Sequence, residues 1–278
     1  MKKNLTFVLI ICINFCYAQN SAQKFLIGGT AHVGNGEIIE NSLIFISKGK
    51  IEMIGSLDSI NFDTTNIQVF EAYGKHIYPS FILPNTTLGI AEIDAVRATR
   101  DEREVGRFNS NVRSQIAFNT ESIVLSTVRT NGVLLAQITP RGGLISGTSS
   151  IMMLDGNNWK DATYYKDDGI HLYWPEIYHH DRWTHSHDFT SKDQDYQTDN
   201  QTKKYENDLF DLHNFFDNAK HYSLLNDKDV DLRYEALKRV FKGNSSLYIH
   251  ANTVQGIKEG ILFAKKYNIH KVIIVGAS

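Results

Sequence analysis

Beyond its first 18 residues this chain has no cysteine. Only Cys12 and Cys16 occur in 278 residues, and both lie in an N-terminal apolar stretch. The remainder therefore has no disulfide, no thiolate nucleophile and no cysteine metal site, and packing alone must stabilise it. Charge of one sign is also lacking. Lys and Arg number 29 against 31 Asp and Glu, a net charge of −2, so nothing in the balance favours nucleic acid as a partner. There are no internal repeats. The one long apolar run, Leu5 to Cys16, is too short to span a bilayer, which needs about 20 residues. What is present is ordinary: 42% hydrophobic and 22% charged residues, a composition that supports a folded core in one large domain or two smaller ones.

The N-terminus reads as a targeting segment. Lys2 and Lys3 precede the apolar run, and Cys16-Tyr17-Ala18 ends it on a small residue. This is the pattern of a secretory signal peptide cut after Ala18, so an exported, periplasmic or secreted protein with no membrane span after cleavage is expected. Phe15 before Cys16 and Ile11 before Cys12 argue against lipidation.

Residues 25–83 carry short strands with glycine punctuation. Phe25 to Ile27 meets a turn or bulge at Gly28-Gly29. Leu43 to Ile46 and Ile51 to Ile54 flank Lys48-Gly49-Lys50 as a hairpin. Further strands are expected at Ile67 to Ala72 and Ile77 to Leu83. From residue 84 the pattern changes. Gly132 to Ile138 is a continuous apolar run of the kind buried on both faces in parallel sheets, and Thr148 to Leu154 is a second candidate strand. Residues 179–227 form a polar insertion. Leu209, Leu212, Phe215 and Phe216 mark one amphipathic helix within it, around Glu206 to Ala219. The last 50 residues alternate: helix Asp229 to Lys242, strand Ser246 to Ala251, helix Thr253 to Tyr267, strand Lys271 to Gly276. That is the βαβ pattern of an α/β fold.

Several segments resemble one family. Phe25 to Thr30 (FLIGGT), Gly49-Lys50-Ile51 with Ile54-Gly55, and Gly74 to Pro79 (GKHIYP) resemble the opening of imidazolonepropionase-like members of the amidohydrolase superfamily. Ala95 to Asp101 and Asn131 to Leu154 (NGVLLAQITPRGGLISGTSSIMML) are similar to one branch of it. The resemblance implies a small N-terminal β-sandwich segment (residues 19–80) and a (β/α)8 TIM-type barrel (residues 81–278). The barrel is incomplete here, with about six strands and no counterpart of strand eight before Ser278.

The family's chemistry uses one or two divalent metals, usually zinc, at the C-terminal mouth of the barrel. The metal activates water against a carbon–nitrogen bond. An H-x-H pair ends the first strand, single histidines end strands five and six, and an aspartate ends strand eight. At the H-x-H positions this chain has Asn85 and Thr87, whose amide and hydroxyl are feeble zinc ligands beside imidazole. They are expected to line the pocket instead, with satisfying backbone groups at a strand end as the alternative. Tyr248-Ile249-His250-Ala251 matches the fifth strand, so His250 is the candidate metal ligand, with a buried core histidine as the alternative. Gly276-Ala277-Ser278 stand where the sixth-strand histidine would be.

Arg141, Gly142 and Gly143 form either a backbone nest for an anionic group or a simple strand-exit turn. His185 and His187 make a literal H-x-H, but within a polar insertion that reads as solvated loop. Arg97 to Arg107 reads as an exposed, ion-paired segment. No catalytic residue is assigned.

The resemblance thus implies a hydrolase acting on non-peptide C–N bonds of a small-molecule substrate. The alternative is a non-catalytic exported relative that binds a ligand or pairs with an intact amidohydrolase, as a homo- or hetero-oligomer. The leader reading is checked by the intact mass of the exported protein, expected to lack residues 1–18. A mature species retaining Leu5 to Cys16 would overturn it.

Overall fold

The computed structural model describes residues 23–60, 67–93, 95–176, 191–225 and 229–277, without the side chains of 191–199. The expected leader and the His185/His187 pair lie outside the described residues. The chain divides into two compact units at Pro79/Ser80.

The first unit is one five-stranded sheet. Its strands are β1 (Lys24–His32), β2 (Ile38–Ser47), β3 (Lys50–Ser56), β4 (Gln68–Glu71) and β5 (His76–Ile77). The order is β3-β2-β1-β4, with β5 also on β1. The first three strands pair antiparallel, while β4 and β5 run parallel to β1. Lys48 and Gly49 both have positive φ, 51° and 74°, the requirement of a type I′ hairpin turn. The expected bulge falls at Gly28-Gly29, where the β1–β2 register shifts. Alternate residues of β1 turn inward, and Phe25 and Ile27 pack with Leu43. A second sandwich layer is not among the described residues. The single strand expected at Ile77 to Leu83 is interrupted at Tyr78-Pro79-Ser80; Pro79 has no N–H to donate to a ladder.

The second unit holds strands β6 (Phe81–Thr86), β7 (Val133–Ile138), β8 (Ile145–Met153), β9 (Thr163–Tyr173), β10 (Ser246–Ala251) and β11 (Val272–Gly276). Its helices are α1 (Ile123–Thr130), α2 (Trp159–Ala162), α3 (Ser191–Leu224), α4 (Leu232–Phe241) and α5 (Val254–Lys266). The six strands lie in the order β11-β10-β9-β8-β7-β6 and curl into a half-barrel.

Two features differ from a strict (β/α)8 pattern. First, β8 runs antiparallel to both β7 and β9, whereas β6–β7, β9–β10 and β10–β11 are parallel. The links 139–144 and 154–162 are too short for a parallel crossover, which takes roughly a dozen residues or more. Second, β9 was not expected at all. Its first half, Thr163 to Gly169, carries Lys166-Asp167-Asp168 and no apolar alternation; pairing with β8 makes it a strand, and β10 joins from Gly169 onward.

The insertion helix α3 runs for 34 residues, well beyond the expected Glu206 to Ala219. Its Leu212, Phe215, Phe216 and Ala219 are buried with Ile170, Leu172, Leu247 and Ile249 of the sheet and Phe263 and Tyr267 of α5. Phe216 meets Phe263 edge-on at 4.7 Å. Helix α5 starts at Thr253, whose hydroxyl accepts the Gly256 N–H at 3.0 Å, a side-chain N-cap. Among the described residues no helix is long and apolar enough to cross a membrane.

Phe216 is fully buried. Phe216→Ala should therefore cost about 3–5 kcal/mol through lost transfer energy and the cavity left behind. Urea unfolding should show a lower midpoint with an unchanged slope.

Candidate functional site

Strand β10 alternates strictly. Leu247, Ile249 and Ala251 are buried among the helices, so Tyr248 and His250 occupy the other face of the sheet. Strand β9 does the same with Ile170 and Leu172 on one side and His171 and Tyr173 on the other. The registers set His171 beside Tyr248 and Tyr173 beside His250. Each pair stacks across the strands, at 4.5 Å and 4.1 Å between ring centres. Gly169 makes room for this: a β-carbon there would lie 2.2 Å from the Tyr248 ring.

Hydrogen bonds tie the same face together. His171 Nδ1 and His250 Nε2 are 2.8 Å apart. Tyr248 donates its hydroxyl to Asp168 at 2.7 Å, and Gln137 Nε2 donates to the same carboxylate oxygen at 2.6 Å. Gln137 Oε1 in turn accepts the Asn85 N–H at 3.0 Å. Asn85, next to last in strand β6, has a φ of 49°, a left-handed conformation that asparagine tolerates better than most residues. Arg141 completes the cluster. Its Nη1 donates to Asn85 Oδ1 at 2.6 Å and to the Tyr173 hydroxyl at 3.0 Å, and its Nη2 donates to the Asn85 carbonyl at 2.7 Å.

Burial, followed by the Arg141 charge, pushes His250 down to about 4. Burial, then His250 and Arg141, holds His171 well below the usual histidine value. Both imidazoles are therefore neutral at pH 7. His171 Nε2 is buried with no hydrogen-bond partner among the described residues. Burial and Asp168 push the Tyr248 hydroxyl up.

Of the residues singled out in the sequence, Asn85, Arg141 and His250 come together at the C-terminal ends of β6, β7 and β10. The others do not join them. The Thr87 carbonyl accepts the N–H groups of Ile90 and Ala91 and opens a turn. Gly142 and Gly143 have φ of 87° and 70°, and a β-carbon on Gly143 would lie 2.9 Å from the Gly106 and Arg107 carbonyl oxygens. The amides that follow, of Leu144 and Ile145, both donate to the Arg107 carbonyl at 2.8 Å. This turn thus serves a backbone crossing. In the Arg97 to Arg107 segment, Glu102 is buried and paired with Arg100 rather than exposed. Sequence reasoning missed Gln137, Asp168, His171, Tyr173 and Tyr248. Their signal is the alternation of apolar with ring-bearing residues in Ile170-His171-Leu172-Tyr173 and Leu247-Tyr248-Ile249-His250.

Among the described residues, the donors at the mouth do not by themselves make a divalent-metal site. The first-strand donors are an amide and a hydroxyl, and the amide oxygen is held by a guanidinium. A cation placed beside Arg141 would be repelled, and His250 Nε2 is engaged by His171. Among the described residues no three His, Cys, Asp or Glu side chains gather as a ligand set.

Comparison with known proteins sets the fold. No family model matches the sequence, and no curated protein matches it. The solved structure of an amidohydrolase from Thermotoga maritima MSB8 aligns over 90% of this chain with a TM-score of 0.74 and 15% identity. This chain spans 63% of that protein's length. A molinate hydrolase structure aligns over 25% of this chain and 15% of its own, at 30% identity and a TM-score of 0.23. The chain thus has an amidohydrolase-like fold.

The depressed histidines make stability depend on pH. The unfolded chain takes up protons at each imidazole near pH 6.5, while folded His250 resists until about 4. The contribution is fully present above 6.5 and is lost as pH falls toward 4. Each such histidine gives a slope of up to about 1.4 kcal/mol per pH unit. Unfolding free energies at pH 7 and pH 5 should differ in that direction, and His250→Gln should reduce the difference. An unchanged difference in the variant would refute the assignment.

Proposed function

We propose that this chain is an amidohydrolase-fold protein that binds a small carboxylate-bearing amide at the C-terminal mouth of its half-barrel, without metal-activated water. The observation that carries the reading is Arg141, bound to Asn85 at the position where the family resemblance implies the first metal ligand. Asn85 takes the Nη1/Nη2 edge of the guanidinium through its side-chain and backbone oxygens. Nε has no partner among the described residues and Nη2 keeps a second N–H beyond the one given to Asn85, so the adjacent edge matches a carboxylate with two parallel charge-assisted hydrogen bonds. The Tyr173 hydroxyl stands 3.0 Å from Nη1 and offers a further polar contact. Tyr173 also borders a cavity of about 320 Å³ that Trp174, Glu176, Lys204 and Tyr205 help to line, large enough for a small organic ligand. We place this binding in an exported protein, on the strength of residues 1–18.

A second reading is hydrolysis of a C–N bond by metal-activated water, alone or with partner subunits, as the family resemblance implies. The amidohydrolase-like fold supports it, and the donor set at the mouth speaks against it. The two readings separate in one experiment. After dialysis against zinc the purified chain should retain less than about a tenth of an equivalent and should bind N-acetylglycine saturably. Arg141→Lys keeps the charge but loses the planar fork, and should weaken that binding by about tenfold or more. Stoichiometric zinc with chelator-sensitive amide hydrolysis would establish the hydrolase reading instead. Absence of saturable N-acetylglycine binding would overturn the first.

A further inference from the structure

The opposite end of the same strands carries a second, unrelated cavity. It lies beside Ser245, the residue before β10, whereas His250 lies five residues along that strand, about 16 Å away at roughly 3.3 Å per residue. The cavity measures about 330 Å³. Its walls combine Ile170, Leu232 and Ala236 with two guanidiniums, Arg113 and Arg239, that share one carboxylate. Arg113 Nε and Arg239 Nη1 each stand 2.7 Å from a different oxygen of Asp167.

Asp167 is held there by its backbone. It has a φ of 53°; its N–H donates to Ser150 Oγ at 3.0 Å, and its carbonyl accepts the Ser245 hydroxyl at 3.1 Å. An aspartate fixed in a left-handed conformation in mid-strand is a constrained feature, and here it sets one carboxylate between two cations. One carboxylate cannot neutralise two guanidiniums. Each keeps N–H groups beyond the one spent on Asp167. Glu235 is the other acid in the lining; it accepts the Tyr222 hydroxyl at 3.0 Å and pairs with Lys238 at 3.4 Å. Lys238 and Tyr222 draw Glu235 away from the two arginines, and what the lining offers an anion is the guanidinium N–H groups not spent on Asp167.

We infer that this cavity is a binding site for a monoanion with an apolar body, an aromatic or aliphatic monocarboxylate, whose anionic end bridges Arg113 and Arg239 while its body lies on Ile170, Leu232 and Ala236. The unspent guanidinium N–H groups select the anionic end, and the apolar wall selects the body. A ligand of this kind would join helix α4 and strand β9, which already meet through Arg239 and Asp167, and would stabilise the fold from the face opposite the mouth. The inference does not depend on the function proposed for the mouth.

Benzoate is the probe, followed by amide chemical shifts of the full chain. The expected result is saturable shifts at Ala236, Arg239 and Ser245, unchanged in Arg141→Lys, which alters the mouth alone. Arg113→Gln should weaken the binding about tenfold, the loss expected of one charge-assisted hydrogen bond. Ala236→Phe, which fills the cavity and spares both ion pairs, should abolish it, so a folding defect in Arg113→Gln leaves the test intact. No saturable shift through the millimolar range, or shifts that survive Ala236→Phe, would overturn the inference.

Discussion

A two-residue alternation in β9 and β10 governs the second unit. Ile170, Leu172, Leu247, Ile249 and Ala251 turn to the helices, and their burial with Phe216 and Phe263 supplies the core. The same backbone then has no choice but to turn His171, Tyr173, Tyr248 and His250 to the other face. A slip of one residue would bury those rings against the helices and expose the aliphatic side chains. Core and polar face are thus one constraint, and the insertion helix α3, which packs on the apolar side, helps to hold it.

The polar face carries its own logic. Burial keeps both imidazoles neutral, so the one fixed positive charge in the network is the Arg141 guanidinium. It reaches the end of β6 because the chain folds back sharply after β7 through Gly142 and Gly143, where a side chain on Gly143 would strike the backbone at Gly106 and Arg107. Once there, it binds the oxygens of Asn85. A guanidinium and a divalent cation compete for the same acceptors and repel one another, since two unit charges at such range interact by several kcal/mol at an effective dielectric near 20. The amidohydrolase-like architecture thus carries at its mouth a network with one guanidinium, Arg141, and one carboxylate, Asp168.

The two ends of the strands do different work. At the C-terminal ends, side chains from β6, β7, β9 and β10 converge on a shared polar network, as the mouths of such barrels allow. At the N-terminal end, Arg113 and Arg239 grip Asp167 and tie the β8–β9 hairpin to α4. Both arrangements rest on a residue in an uncommon backbone conformation, Asn85 at the mouth and Asp167 at the base, each held by hydrogen bonds from neighbouring strands.

The sequence by itself determined what depends on neighbours a few residues away. The Lys48-Gly49 hairpin, the apolar run of β7, the amphipathic stripe of α3 and the alternation of α4, β10, α5 and β11 are all written in local periodicity and turn chemistry. The positions of Asn85 and His250 at the mouth came from the family resemblance, and that of Arg141 from the turn at Pro140 to Gly143. Only the tertiary structure decided the rest. Thr163 to Gly169 has charge in place of a strand pattern, and becomes part of β9 because β8 supplies its partners along that stretch. The direction of β8 follows from the short links that flank it. The partners of Arg141, 56 residues away at Asn85 and 32 at Tyr173, and the His171–His250 contact across 79 residues, leave no local trace. Such contacts are set by sheet register, and register is a property of paired strands rather than of any one segment.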